Sequence, residues 1–177
     1  MVNHRGMTFI EVLVALFIMV TGILGAVAMQ SVAKQGSFDA MQRSLASSLA
    51  QDIIERMRSN SADAAVLNTY NGTYGDVALT EPDTRCNNPA AICTSAQMVT
   101  NDLFEWSQAL RGADAFEGTN NRGGLVNARG CITHNAQAVA IVISWEGRTK
   151  TSDGAAGSSC GSASDKRRQI TLNAFLF

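Results

Sequence analysis

Proline is almost missing from this chain. Two occur in 177 residues, and the first is Pro82. No proline can therefore break a helix anywhere in the first 81 positions. Histidine is as scarce, with only His4 and His134. A Ser-His-Asp or Cys-His site needs a histidine beside an acid or a nucleophile, and His134 has no acidic neighbour in sequence, so it reads as a satisfied surface residue. No Cys-x-x-Cys pair occurs among the four cysteines, which removes a redox motif and a zinc knuckle. The glycine-rich stretch 154–164 lacks the Gly-Lys-Ser/Thr of a phosphate loop. Asp153 and Asp165 are not at a calcium-loop spacing. The net charge of -1 gives no reason to expect nucleic acid, and the one basic run, Lys166-Arg167-Arg168, reads as a solubility feature. No catalytic, cofactor or metal site follows, and the chain reads as non-enzymatic.

What the sequence does have is a sharp asymmetry. It is 46% hydrophobic and 16% charged, enough for a folded core. From Met7 to Met29, however, the only ionisable side chain is Glu11. At about 1.5 Å per residue such a run covers roughly the hydrocarbon thickness of a bilayer. His4 and Arg5 precede it, which places residues 1–6 on the cytoplasmic side and the rest outside. Gly, Ser, Asn and Thr are common after Asn60, as suits a loop-rich exported domain. There an even number of cysteines favours disulfides. Four cysteines allow three connectivities. Cys86–Cys93 and Cys131–Cys160 are the expectation, because each closes a local feature, but sequence alone does not choose.

The apolar run has three readings. It is a conventional secretory signal, with Ala26-Val27-Ala28 as a small-x-small cleavage site. It is an uncleaved signal anchor, which leaves the carboxylate unexplained. Or the chain is cut before the run, after Gly6. The residues Arg5-Gly6-Met7-Thr8-Phe9-Ile10-Glu11-Val12-Leu13 resemble the type IV prepilin signal. That resemblance implies a membrane peptidase cutting between Gly6 and Met7, N-methylation of Met7, and Glu11 as the family's glutamate five residues past the cut. Met7 stands where the family usually places Phe. The physical case for Glu11 is independent. A carboxylate in hydrocarbon costs a few kcal/mol unless partnered. Its own first-turn amides can serve, or the amine freed at Met7 of a neighbouring subunit, which selects one stagger between molecules. The bland alternative is a glutamate that snorkels to the headgroups.

Nothing from Gly6 to Asn60 stops a helix. Met41, Leu45, Leu49, Ile53 and Met57 recur every four residues, with Ala46, Ala50 and Ile54 beside them, as one amphipathic face. Gln42, Arg43, Gln51, Asp52, Arg56 and Arg58 are left for the other faces. Residues 7–29 read as a membrane or fibre-core half and 30–60 as an amphipathic half; one helix of that length reaches about 80 Å. Gly22, Gly25 and Gly36 each weaken it by about 1 kcal/mol relative to Ala. They either let another helix approach closely or mark a stretch that unwinds. Asp52, Glu55, Arg56 and Arg58 read as a solvated face with weak pairs, and Asn60 as a left-handed cap. The helix end, with Asp52, Arg56, Met57, Arg58 and Asn60, resembles that of type IV pilus modification proteins of the PilV kind.

Residues 61–177 read as a head domain. Residues 61–92 look like loop. Thr94 or Ser95 caps a helix to about Leu110, with Val99, Leu103, Trp106 and Leu110 buried. The run Cys93-Thr94-Ser95-Ala96-Gln97, then Asn101-Asp102-Leu103 and Glu105-Trp106, again resembles the PilV kind. Trp106 reads as plain core. Three antiparallel strands follow: 125–134, 138–145 and 169–177. Val139, Ile141, Ile143 and Trp145 point to one side, and Ile170, Leu172, Ala174 and Leu176 inward. The fold class is α+β: a long N-terminal helix on a small antiparallel sheet with one short extra helix. The resemblance implies a minor pilin that primes a type IV pilus from its tip and supports motility, adhesion or DNA uptake. Its implied partners are other minor and major pilins, the prepilin peptidase, the inner membrane and the assembly platform. It would sit first in the inner membrane, head outward, then in the pilus. A minor pseudopilin of type II secretion shares the plan, and a secreted binding domain is the reading from another class.

Overall fold

A computed structural model describes residues 6–60, 64–88, 92–113, 115–117, 120–121, 123–151 and 159–176. The chain divides into two compact units, one running to Phe38 and one from Asp39 to Phe177. Helix α1, Phe9–Ser59, gives its first part to one and its second part to the other.

In the second unit α1 packs on a four-stranded antiparallel sheet. The further elements are α2 (Ala64–Asn68), β1 (Gly72–Tyr74), α3 (Ser95–Arg111), the two-residue strands β2 (Phe116–Glu117) and β3 (Asn120–Asn121), β4 (Arg129–Asn135), β5 (Ala138–Glu146) and β6 (Arg167–Phe175). The sheet order is β1-β4-β5-β6, and β2 pairs with β3 in a separate ribbon. The α+β architecture is the expected one, with a fourth strand. β1 falls in the stretch expected to be loop. It is only three residues long and carries Gly72, so no alternation announces it, and it pairs with Gly130–Ile132 of β4.

The core forms where three apolar faces meet. Alternation in β5 buries Val139, Ile141, Ile143 and Trp145, and β4 adds Ile132. On β6, Ile170, Leu172 and Ala174 pack against the core, and Leu176 just beyond it is buried. From α1 the buried residues are Gln42, Ala46, Leu49, Ala50, Ile53, Ile54 and Met57. Met41 is exposed. A row of every fourth residue drifts by about 40° per step around a 3.6-residue helix, so the row ending at Met57 has left the core face by Met41. Gln42, expected outside, occupies that face instead: its Nε2 donates to Gly124 O (3.3 Å) and its Oε1 accepts from Val126 N (3.4 Å).

Helix α3 starts as the sequence suggests. Thr94 and Gln97 form a reciprocal capping box, and Gly112 ends the helix at φ 64°. Buried Val99, Trp106 and Leu110 face the core. Trp106 is fully buried and its Nε1–H donates to Leu49 O at 2.8 Å. Gly130 of β4 makes room for it, since a Cβ there would stand 2.3 Å from the Trp106 ring. The β4–β5 turn holds Ala136 at φ 56°, a conformation that favours glycine. Two disulfides close the second unit, Cys86–Cys93 and Cys131–Cys160.

His134 is not at the surface. It is buried beside Ile132 on the inner face of β4, with its Nδ1 2.9 Å from Asn68 Oδ1. Asn60 does not adopt a positive φ; its backbone N–H reaches Arg56 O and Met57 O, and its side chain donates to Ser95 O (2.9 Å). Arg167 and Arg168 are no solvated run either. Arg167 is buried and donates to Cys160 O and Gly161 O, and Arg168 donates to Thr149. Strand alternation sends these neighbours to opposite sides of β6, and each side is covered.

Candidate assembly site

The first turn of α1 is built around Thr8 and Glu11. Glu11 and Val12 both donate their backbone N–H to Thr8 O, at 3.1 and 3.4 Å. Thr8 is therefore the residue from which the helix starts. Glu11 stands three positions on, where a Thr-x-x-Glu pattern lets a carboxylate turn back. It does so: Thr8 N–H donates to Glu11 Oε2 at 3.3 Å. The carboxylate also sits at the positive end of the helix dipole. Gly6 and Met7 precede the helix and are exposed, Met7 to 75%. A Cβ built on Gly6 meets nothing within 4 Å. Nothing in the described chain therefore requires glycine at that position. His4 and Arg5 lie outside the described residues.

From Phe9 to Gly36 every side chain of α1 is exposed, including Phe9, Phe17, Ile18 and Leu24. The helix is long and apolar enough to cross a membrane. Thr21, its one hydroxyl between Phe9 and Met29, is satisfied internally, donating to Phe17 O and Ile18 O at 3.0 and 2.9 Å. Among the described residues, nothing beyond the helix's own nearby backbone lies within 4 Å of a Cβ built on Gly22, Gly25 or Gly36.

The second unit carries a charged cluster that sequence spacing did not reveal. Arg56 of α1 donates from Nε to Asp52 Oδ2 (3.0 Å), and from Nη1 to Asp102 Oδ1 (3.2 Å) and Glu105 Oε2 (2.8 Å) of α3. Arg85 reaches Glu105 Oε1 (3.0 Å) and Asn101 Oδ1 (3.0 Å), and its guanidinium carbon lies 4.9 Å from the centre of the Phe104 ring. Tyr70 OH donates to Asp102 Oδ2 at 2.7 Å. Burial raises the Asp102 carboxyl above its ordinary range, against the pull of the bonds from Tyr70 and Arg56. Burial also pushes Glu105 upward, but the bonds from Arg56, Arg85 and Asn101 outweigh it and hold that carboxyl low. Burial would lower Arg56, yet its bonds to Glu105 and Asp52 hold it above the ordinary arginine range. Burial and the bond to Asp102 keep Tyr70 protonated well past its usual range. Arg56 thus fastens α1 to α3 and does not merely decorate a wet face. Glu55 and Arg58, in contrast, form the exposed pair expected of them.

The structure brings Gly6, Met7 and Glu11 to one end of α1, and it pairs Cys86 with Cys93 and Cys131 with Cys160. Asp165 is in an ion pair with Lys150 at 3.0 Å, while Asp153 lies outside the described residues. Among the described residues no group of three His, Cys, Asp or Glu could hold a metal ion.

An apolar helix long enough to cross a membrane, continuing as the packed helix of an α+β head, matches the pilin fold. The prokaryotic N-terminal methylation motif matches residues 1–27, and the family described as type IV pilin Tt1218 matches residues 28–104. This chain is a type IV pilin-like protein. No curated protein and no solved structure matches it. The second match covers Asp52, Arg56, Tyr70 and Asp102 of the charged cluster. Neither match is to the PilV-type group. Such a protein is anchored in the membrane before it is assembled into a pilus with other pilins. The family suggests a structural role and not a catalytic one.

Proposed function

We propose that the protein is a minor pilin of the PilV kind, a structural subunit that primes a type IV pilus and sits at its tip. The observation that carries this reading is the lone Glu11, held against the first-turn amide of a helix whose apolar side chains are otherwise unburied up to Gly36. In this reading a prepilin peptidase cuts between Gly6 and Met7, and Met7 is N-methylated. Residues 7–29 span the inner membrane with the leader 1–6 in the cytoplasm and the head 61–177 outside. Residues 30–60 form the packed half of the helix. On extraction through the assembly platform, the amine of Met7 in one subunit pairs with Glu11 of the next. The head contacts other minor and major pilins, and the fibre supports motility, adhesion or DNA uptake.

N-terminal sequencing of the mature protein tests it. A methylated Met7 as first residue is the expected result, and a bulky replacement at Gly6 should leave the leader attached. A mature chain starting at Met29 would show a conventional secretory signal and end the pilin assignment for the exported form.

A further inference from the structure

In the second unit the β5–β6 connection folds over the point where α1 enters. Asp39 of α1 accepts from the backbone N–H of Arg148 (3.4 Å) and from Thr149 Oγ1 (3.0 Å), and its Oδ2 lies 3.6 Å from Arg168 Nη2. Gly147 N–H donates to Lys166 O at 2.9 Å. Arg43 stands on the same wall as Asp39 and Arg168. Residues 39–43, 146–151 and 165–168 thus meet at one end of the unit, with six basic side chains against three acidic. Arg43, Arg148 and Lys150 are exposed and Lys166 is half-buried. The acids are engaged: Asp39 as above, Asp165 by Lys150 (3.0 Å) and Glu146 by Asn127 Nδ2 (2.6 Å). The opposite end reverses the balance. There Asp52, Glu55, Glu81, Asp83, Asp102 and Glu105 outnumber Arg56, Arg58 and Arg85. Between Asp39 and Arg56 the helix rises by about 25 Å. That exceeds the Debye length at physiological salt, about 8 Å, so each end acts on its own surroundings. A net charge of -1 conceals this segregation.

We propose that the basic end is a docking surface for anionic phospholipid headgroups. The inference rests on the reading in which residues 7–29 span the inner membrane. The stretch 30–38 that follows contains no acid and adds Lys34. Even fully extended, the chain from Met29 to Asp39 spans no more than about 36 Å. Whatever angle the two units take, every subunit therefore holds its basic end within reach of a lipid surface, at a high effective concentration. Arg43, Arg148, Lys150 and Lys166 supply the contacts, each as a cation beside a lipid phosphate. The rival partner is the acidic end of a second head. It has little charge to offer, because Asp52, Asp102 and Glu105 are engaged by Arg56, Glu55 by Arg58, and Glu81 by Arg85.

The test places the full-length ¹⁵N-labelled protein in lipid nanodiscs with a trace of lipid carrying a headgroup nitroxide. One set of discs is phosphatidylcholine alone; the other is equal parts phosphatidylcholine and phosphatidylglycerol. The amide signals of Arg148, Thr149 and Lys150 should broaden more in the anionic discs, while those of Asp102 and Glu105 should not. The difference should vanish in about 1 M salt, where screening acts within about 3 Å. Arg43→Gln and Lys166→Gln should each lower the ratio of docked to free head about fivefold. Arg58→Gln, at the acidic end, should leave it unchanged. A chain that enters neither disc would end the membrane-spanning reading and this proposal with it. A chain that enters both discs and broadens equally in them would overturn the docking alone. So would an effect of Arg58→Gln equal to that of Arg43→Gln. Broadening that follows the number of copies per disc and not lipid charge would overturn it too, and would give the surface to a second head.

Discussion

Arg56 shows how one side chain acquires a structural role that its own segment does not reveal. Four residues from Asp52 on a helix, it reads as half of a weak surface pair. Its other partners, Asp102 and Glu105, lie 46 and 49 positions away in sequence. Arg56→Ala would leave Asp102 buried without its cation. We expect a loss of about 2–3 kcal/mol, read as a lower denaturation midpoint of the full-length protein in micelles. Glu105 gives a pH-dependent counterpart. Its carboxyl is held below its ordinary value of 4.5 in the folded chain, so its stabilising contribution is complete above that pH and is lost as pH falls through the folded value. Asp102, raised from its ordinary value of 3.8, has the opposite sign: its contribution fades as pH rises through its folded value. The melting-temperature gap between wild type and Glu105→Gln should therefore be widest near neutrality and close below pH 4.5. A gap that stays constant down to strongly acid pH would refute this assignment. The burial of His134 is hidden from its own segment for a related reason. No neighbour in sequence marks it, and only its even-numbered place beside Ile132 on β4 sends it inward.

At the level of elements, periodicity carried most of the fold. The 3.6-residue stripe of α1, the capping box of α3 and the alternation of β5 are local patterns, and each produced the element it implied. What stayed hidden depends on distant partners. β1 is defined by its pairing with β4 and not by its own three residues. Helix α2 has five residues and buries only Leu67, too little for a pattern. Of the two disulfides, Cys131–Cys160 spans 29 positions, from β4 to the segment leading into β6. Closing a loop of that length should stabilise the fold by about 3–4 kcal/mol on the chain-entropy account. Cys86–Cys93, at a separation of 7, should contribute about 1 kcal/mol less. Serine replacement of each pair, compared by urea denaturation, checks the ranking. The opposite order would mean that strain or residual structure in the unfolded chain dominates.

The whole molecule combines two solvents in one chain. Its second unit has an ordinary core, whereas among the described residues the side chains of α1 up to Gly36 are exposed. Composition made that division legible from the start, because a run with one charge in 23 positions contrasts with everything after it. The first turn was legible in part. The Thr8–Glu11 spacing is visible in sequence, but whether the carboxylate turns back to the amide or outward is a matter of geometry. Under the proposed docking, Glu11→Ala should leave the protein in the inner membrane yet reduce its recovery in sheared pili. Undiminished recovery would count against charge pairing between subunits.

That first turn has one more consequence. Under the proposed docking, Glu11 of a subunit waiting in lipid already accepts one hydrogen bond, from the Thr8 amide. An arriving ammonium would trade places with a modest neutral donor at 3.3 Å and would not have to strip a fully hydrated acid. In that proposal the transfer would be a relay, with the acid passed from an amide to an ammonium.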